Sequence, residues 1–253
     1  MAPRGGSRGD PVALARVASL ARPVTYAHER VLPVAEPLDA LLPLGLPRGA
    51  AVSVVGGPGV SAAALALVAA ASASGSWVAI VGWPSVGLAA AADLGIALER
   101  LAVVDVDAQR WGAVVAALID ALDVVVARPP STLTATTARR VAARARERGA
   151  SLVLVDAGAG PVLLGAFDPV VRLVVRASTW SGLGIGHGTL TARRLVVEAT
   201  ARRDGRPRRV ELLLPDGRGA ISAVPASSAG TGAVLGTTYG SVSEPPAVAP
   251  ISA

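Results

Sequence analysis

The chain has 253 residues, 52% of them hydrophobic, which is enough to bury the core of one large domain or two small ones. It has no cysteine, which excludes a disulfide scaffold and thiol catalysis, and its two histidines, His28 and His187, lie far apart, so we expect no metal site. All 24 basic residues are arginine, which excludes lysine chemistry such as a Schiff base, and the net charge of +6 favours an acidic partner.

The two ends of the sequence predict little packed structure. Residues 1–35 combine a basic arm, a short helix at 11–21 and a proline-rich connector. Residues 220–253 are rich in Ser, Gly, Pro, Ala and Thr, so we expect a disordered tail. No segment predicts a signal peptide or a membrane-spanning helix, and we expect a cytoplasmic protein.

Between residues 36 and 219, apolar strands first alternate with helices. Strands are predicted at 51–55, 78–81, 101–106, 123–127 and 152–155, with helices at 61–74, 86–93, 108–121 and 134–148. Three further strands, at 170–176, 188–199 and 208–214, follow without helices, and a turn at Asp204-Gly205 separates the last two. The predicted fold class is α/β, with a mainly parallel sheet flanked by helices and antiparallel strands at its C-terminal edge.

A glycine-rich turn follows the first of these strands. A working phosphate-binding loop reads G-x-x-x-x-G-K-[ST]: backbone amides surround the phosphates, the lysine neutralises them and the hydroxyl binds magnesium. Here Ser61 replaces the second glycine, and alanines replace the lysine and the hydroxyl residue. We expect a degenerate loop that binds no cofactor, and retention of a nucleotide without hydrolysis is the alternative. The loop residues are Gly56, Gly57, Gly59, Ser61, Ala62 and Ala63.

Several segments, taken together in order and spacing, resemble the core of the RecA recombinases. They run from 37–49 through the glycine turn and 94–101 to the C-terminal strands, covering roughly residues 36–215. The resemblance implies a RecA-like core, but it fails at the residues that hydrolyse ATP. Pro84 stands where the family has its catalytic glutamate, and Arg128 where it has a metal-associated aspartate. Asp156 is interpreted as a strand-end carboxylate, so we expect no enzyme activity.

A RecA-like core without these residues resembles the ImuA-type mutasome accessory proteins of actinobacteria. The similar segments are 75–82, 111–117, 138–150 and 182–188. The resemblance implies a non-catalytic adaptor in the SOS response to DNA damage, acting in induced mutagenesis and translesion synthesis. Its implied partners are an ImuB-like Y-family polymerase homologue and an error-prone replicative-type polymerase. The alternative is a nucleotide-binding or DNA-binding RecA paralogue that regulates DNA repair.

Two arginine clusters and one tryptophan are candidate DNA or partner contacts. The helix at 134–148 places three arginines four residues apart on one face, and the strand at 188–199 sends two neighbouring arginines to opposite faces. A solvated helix face and a charged edge strand are the structural alternatives. At most, we expect weak, salt-sensitive, non-specific DNA binding. The candidate residues are Arg140, Arg144, Arg148, Arg193, Arg194 and Trp180.

Overall fold

The computed structural model of the protein describes residues 31–156, 161–183, 187–203 and 205–224. The predicted helix at 11–21 and residues 225–253 of the predicted tail lie outside this part of the chain. None of the helices in the described residues is long and apolar enough to cross a bilayer.

The strands form one large sheet and one small one. Their bounds are β1 Val31–Leu32, β2 Leu46–Pro47, β3 Ala50–Gly56, β4 Val78–Val81, β5 Leu101–Val104, β6 Val124–Ala127, β7 Ser151–Val155, β8 Val171–Leu183, β9 Gly188–Ala201, β10 Pro207–Leu213 and β11 Ser222–Ala223. The large sheet has the order β11-β10-β9-β8-β3-β7-β6-β4-β5, while β1 pairs with β2. Strands β3 to β8 are parallel, and β9, β10 and β11 continue the sheet in antiparallel pairs. The predicted fold class is therefore confirmed.

Helices cover both faces of the parallel half of the sheet. They are α1 Val60–Ala73, α2 Leu88–Asp93, α3 Trp111–Ala121, α4 Ala135–Arg148 and α5 Pro161–Gly165, with short 3-10 turns at Glu36–Leu38 and Leu98–Arg100. The sequence sets the limits of α4 locally. Thr134 Oγ1 accepts a hydrogen bond from the Thr137 amide at its start, and Gly149 ends it with a positive φ of 72°.

Each face of the sheet has its own hydrophobic core. On one face α1 is buried on nearly all sides, between the sheet and the segment that holds Leu41 and Leu46. On the other face α3, α4 and α5 pack on the strands, and Trp111 meets Phe167 edge to face at 6.2 Å between ring centroids. The antiparallel half buries alternate residues on the α1 side only, so its other side carries charged side chains.

The structure differs from the sequence prediction at two places near the C-terminus. Strand β8 continues to Leu183, although its last pairing with β3 is between Val175 and Gly56. Beyond that point β8 and β9 form a two-stranded extension past the carboxyl end of β3. A short strand, β11, also lies within the first residues of the predicted tail. It pairs with Leu212 and Leu213, since backbone pairing at a sheet edge needs no large side chains.

Candidate functional site

The glycine turn after β3 is shaped by contacts with the neighbouring strands. Gly56 has φ 126° and Gly59 has φ 106°, values that residues with a side chain rarely adopt. A Cβ atom on Gly56 would overlap the carbonyl oxygen of Val175, and one on Gly59 would lie 2.5 Å from Cδ2 of Leu195. Packing of the turn on β8 and β9 therefore accounts for both glycines.

Arg128 follows β6 and crosses to the first turn of α1. Its amide donates to the Val81 carbonyl at 3.0 Å, which fixes its backbone at the carboxyl end of β4. Its Nη2 donates to Ser61 Oγ at 2.9 Å, and its Cζ lies 3.7 Å from the ring centroid of Trp83. Its Nε is buried and has no hydrogen-bond partner among the described residues, and burial lowers the pKa of the guanidinium.

Arg193 reaches the same region from the β8–β9 extension. Its Nε donates to Ser178 Oγ at 2.8 Å, and its Cζ lies 5.1 Å from the ring centroid of Trp180. The segment after β10 fixes its backbone, because its amide donates to Pro215 and its carbonyl accepts from Leu214. Burial lowers the pKa of this guanidinium as well.

The two arginines line one cavity of about 390 Å³ at the carboxyl edge of the sheet. We call it the arginine–tryptophan cavity. Open α/β sheets bind ligands at this edge, outside the carboxyl ends of the strands. Within the described chain, neither guanidinium has a carboxylate in ion-pairing distance. The lining includes Ser61, Ala62, Trp83, Asp93, Arg128, Trp180 and Arg193.

The structure therefore brings together several of the residues that the sequence singled out. Ser61 and Ala62 line this cavity together with Trp180 and Arg193. Gly57 is exposed, and a Cβ atom added to it would have no neighbour within 4 Å. Ala63 lies on α1 and is buried in the hydrophobic core. Asp156 lies at the end of β7, and its amide donates to the Val54 carbonyl at 3.1 Å.

Sequence reasoning missed two members of the cavity. It treated Arg128 only as the replacement for an aspartate, and it did not include Trp83 among the candidate contacts. The available signal was an arginine directly after the apolar strand β6 and a tryptophan two residues after β4. Because β4 and β6 are neighbours in the sheet, their carboxyl ends lie side by side.

The arginines of α4 form no continuous basic stripe. Arg144 donates to both carboxylate oxygens of Asp120 on α3, at 2.6 and 2.8 Å, and Arg148 donates to Asp120 at 3.1 Å. The hydrogen bond with Arg144 is the main reason that the pKa of Asp120 is lowered and that of Arg144 is raised. Arg140 is exposed and has no ion pair among the described residues.

The outer side of the antiparallel strands is mixed in charge. Arg194 pairs with Glu211 at 2.7 Å, on the opposite side of β9 from Arg193, as alternation predicted. Arg176 pairs with Glu198 at 2.8 Å and lowers the pKa of that carboxyl. No cluster of three metal-binding side chains occurs in the part of the chain that the structure describes.

Comparison with known proteins covers about half of the chain. Residues 40–160 match the family model described as the MT3502 N-terminal domain. An uncharacterized protein of Mycobacterium tuberculosis, Rv3395c, is 40% identical over 115 residues, which are 45% of this chain and 55% of that protein. The chain thus spans about half the length of this curated relative. The residues matched by the family model include the glycine turn, Trp83 and Arg128, and they end before β8.

Proposed function

We propose that this protein is a non-catalytic adaptor of the ImuA type, built on a degenerate RecA-like core, which acts in induced mutagenesis and translesion synthesis after DNA damage. In this proposal it works in the cytoplasm and binds an ImuB-like Y-family polymerase homologue together with an error-prone replicative-type polymerase. The family resemblance of the sequence supplies these partners.

The contact between Arg128 and Ser61 is the main support for a non-catalytic role. In a working phosphate loop this region holds a lysine, a hydroxyl and magnesium. Here a guanidinium donates to the hydroxyl at the start of α1, and alanines fill the lysine and hydroxyl positions. A fixed positive charge at this place repels a divalent cation, so the turn is poorly suited to metal-dependent ATP hydrolysis.

Two exposed tryptophans at opposite edges of the sheet allow a matched test of partner binding. Trp180, on the β8–β9 extension, is 41% exposed, whereas Trp77, just before β4, is 47% exposed at the amino edge. We expect the full-length chain to co-purify with the ImuB-like protein of its own organism. Trp180→Ala should weaken that association and Trp77→Ala should preserve it. Equal retention by both variants, or no association of the unmodified chain, contradicts the proposal.

The alternative of a nucleotide-binding paralogue is favoured by the position of the arginine–tryptophan cavity beside the glycine turn. Calorimetry with ATP and magnesium separates the two functions. A dissociation constant below about 0.1 mM, about −5.5 kcal/mol, supports the paralogue. We expect weaker binding and no turnover. DNA binding should be weak and should fall steeply with salt, and a clear sequence preference would count against the adaptor.

A further inference from the structure

We propose that the arginine–tryptophan cavity binds a small organic oxyanion, a carboxylate, phosphate or sulfonate carried on an apolar body, through Arg128 and Arg193 and without a metal ion. This inference goes beyond the adaptor function and does not depend on it.

Arg128 and Arg193 differ in charge pairing from many surface arginines of the described chain. Seven arginines on the surface of the described chain form ion pairs with a carboxylate: Arg48, Arg110, Arg144, Arg148, Arg176, Arg194 and Arg202. Arg128 and Arg193 are more deeply buried than most of these, and they have hydroxyl partners instead. Partial burial of a charge that has no carboxylate partner in the described chain costs free energy, and an anion in the cavity would reduce that cost at both residues.

Both guanidinium groups have N–H donors that make no hydrogen bond within the described chain. A guanidinium carries five N–H groups in a rigid fork that matches an oxyanion. In the described chain, side-chain hydrogen bonds engage Arg128 only through Nη2 and Arg193 only through Nε. Trp83 and Trp180 lie against the two guanidinium groups, which holds them in position before any ligand arrives.

The size and the walls of the cavity suit a small organic molecule. Its volume of about 390 Å³ lies within the usual range of small-molecule sites, and its lining is mostly apolar, with Leu65, Leu94 and Pro215 beside the two indoles. Asp93 also lines it and remains exposed, outside ion-pairing distance of the arginines. This carboxylate disfavours a long polyanion such as a triphosphate, so the cavity fits one oxyanion on an apolar body.

The test uses 8-anilinonaphthalene-1-sulfonate as the probe, with the full-length protein. Its fluorescence should rise saturably, and a neutral analogue, N-phenyl-1-naphthylamine, should bind at least tenfold more weakly. Arg128→Gln and Arg193→Gln should each weaken sulfonate binding at least tenfold. Arg140→Gln is the matched control, because it removes the same charge from an exposed position on α4, and it should leave binding unchanged.

A second measurement uses only the unmodified protein, so it does not depend on whether a variant folds. Inorganic phosphate should displace the sulfonate probe from the unmodified protein, and chloride at equal ionic strength should not. Equal binding of the neutral analogue, equal affinities of the cavity and control variants, or the absence of phosphate competition would overturn the proposal. A strict requirement for magnesium in the binding of any of these probes would overturn it as well.

Discussion

Replacing Gly56 by alanine tests whether the glycine turn is dictated by packing. The φ of 126° is a conformation that costs a non-glycine residue about 1–3 kcal/mol. The new Cβ would also overlap the Val175 carbonyl oxygen and lie 3.0 Å from the Val175 nitrogen. Relieving that overlap requires β3 and β8 to separate, at about 1–3 kcal/mol. We therefore expect a loss of about 2–6 kcal/mol, a large part of the usual 5–15 kcal/mol of folding stability.

Urea unfolding followed by circular dichroism measures this loss. With an m value of about 2–3 kcal/mol/M, a loss of about 3 kcal/mol moves the midpoint down by roughly 1 M or more. Gly57→Ala is the matched control in the same turn, because the added Cβ atom would have no neighbour within 4 Å. It should change the stability by less than about 0.5 kcal/mol. Equal midpoints for the two variants would refute the explanation from packing.

Three further experiments test the packing and charge of the helix layer. Gly112→Ala places a Cβ 2.5 Å from Cγ2 of Thr137, so we expect a net loss of about 1–2 kcal/mol in urea unfolding, and Thr137→Ser should recover most of it. Trp111→Ala should cost about 3–5 kcal/mol in the same assay; Trp111→Phe should cost clearly less, because the buried indole N–H has no partner among the described residues. Asp120→Asn should lower the melting temperature at pH 7. Because the folded pKa of Asp120 lies below its ordinary value of about 3.9, that difference should be complete above this value and vanish as pH falls through the folded pKa. A difference that does not shrink as pH falls below this ordinary value would show that the ion pairs with Asp120 are not its cause.

Much of the fold could be predicted from the sequence because its signals are local. Apolar runs bounded by glycine and proline marked the strands, and Thr134 and Gly149 marked the two ends of α4 to within a residue. The loss of the lysine and the hydroxyl residue, which alanines replace after Ser61, could also be recognised from the sequence alone. Strand boundaries differed from the prediction where pairing between distant strands determines them, as in the extension of β8 to Leu183.

The arginine–tryptophan cavity was decided by the tertiary structure alone. Arg128 and Ser61 are 67 residues apart, and they meet because β6 and β3 lie in one parallel sheet with their carboxyl ends at the same edge. Arg193 joins them because β8 runs parallel to β3 and continues past it, which carries the returning strand β9 over that edge. Residue type and periodicity determine which segments become strands. The order of the strands depends on how distant faces pack, and that order placed two arginines with no carboxylate partner in the described chain around one cavity.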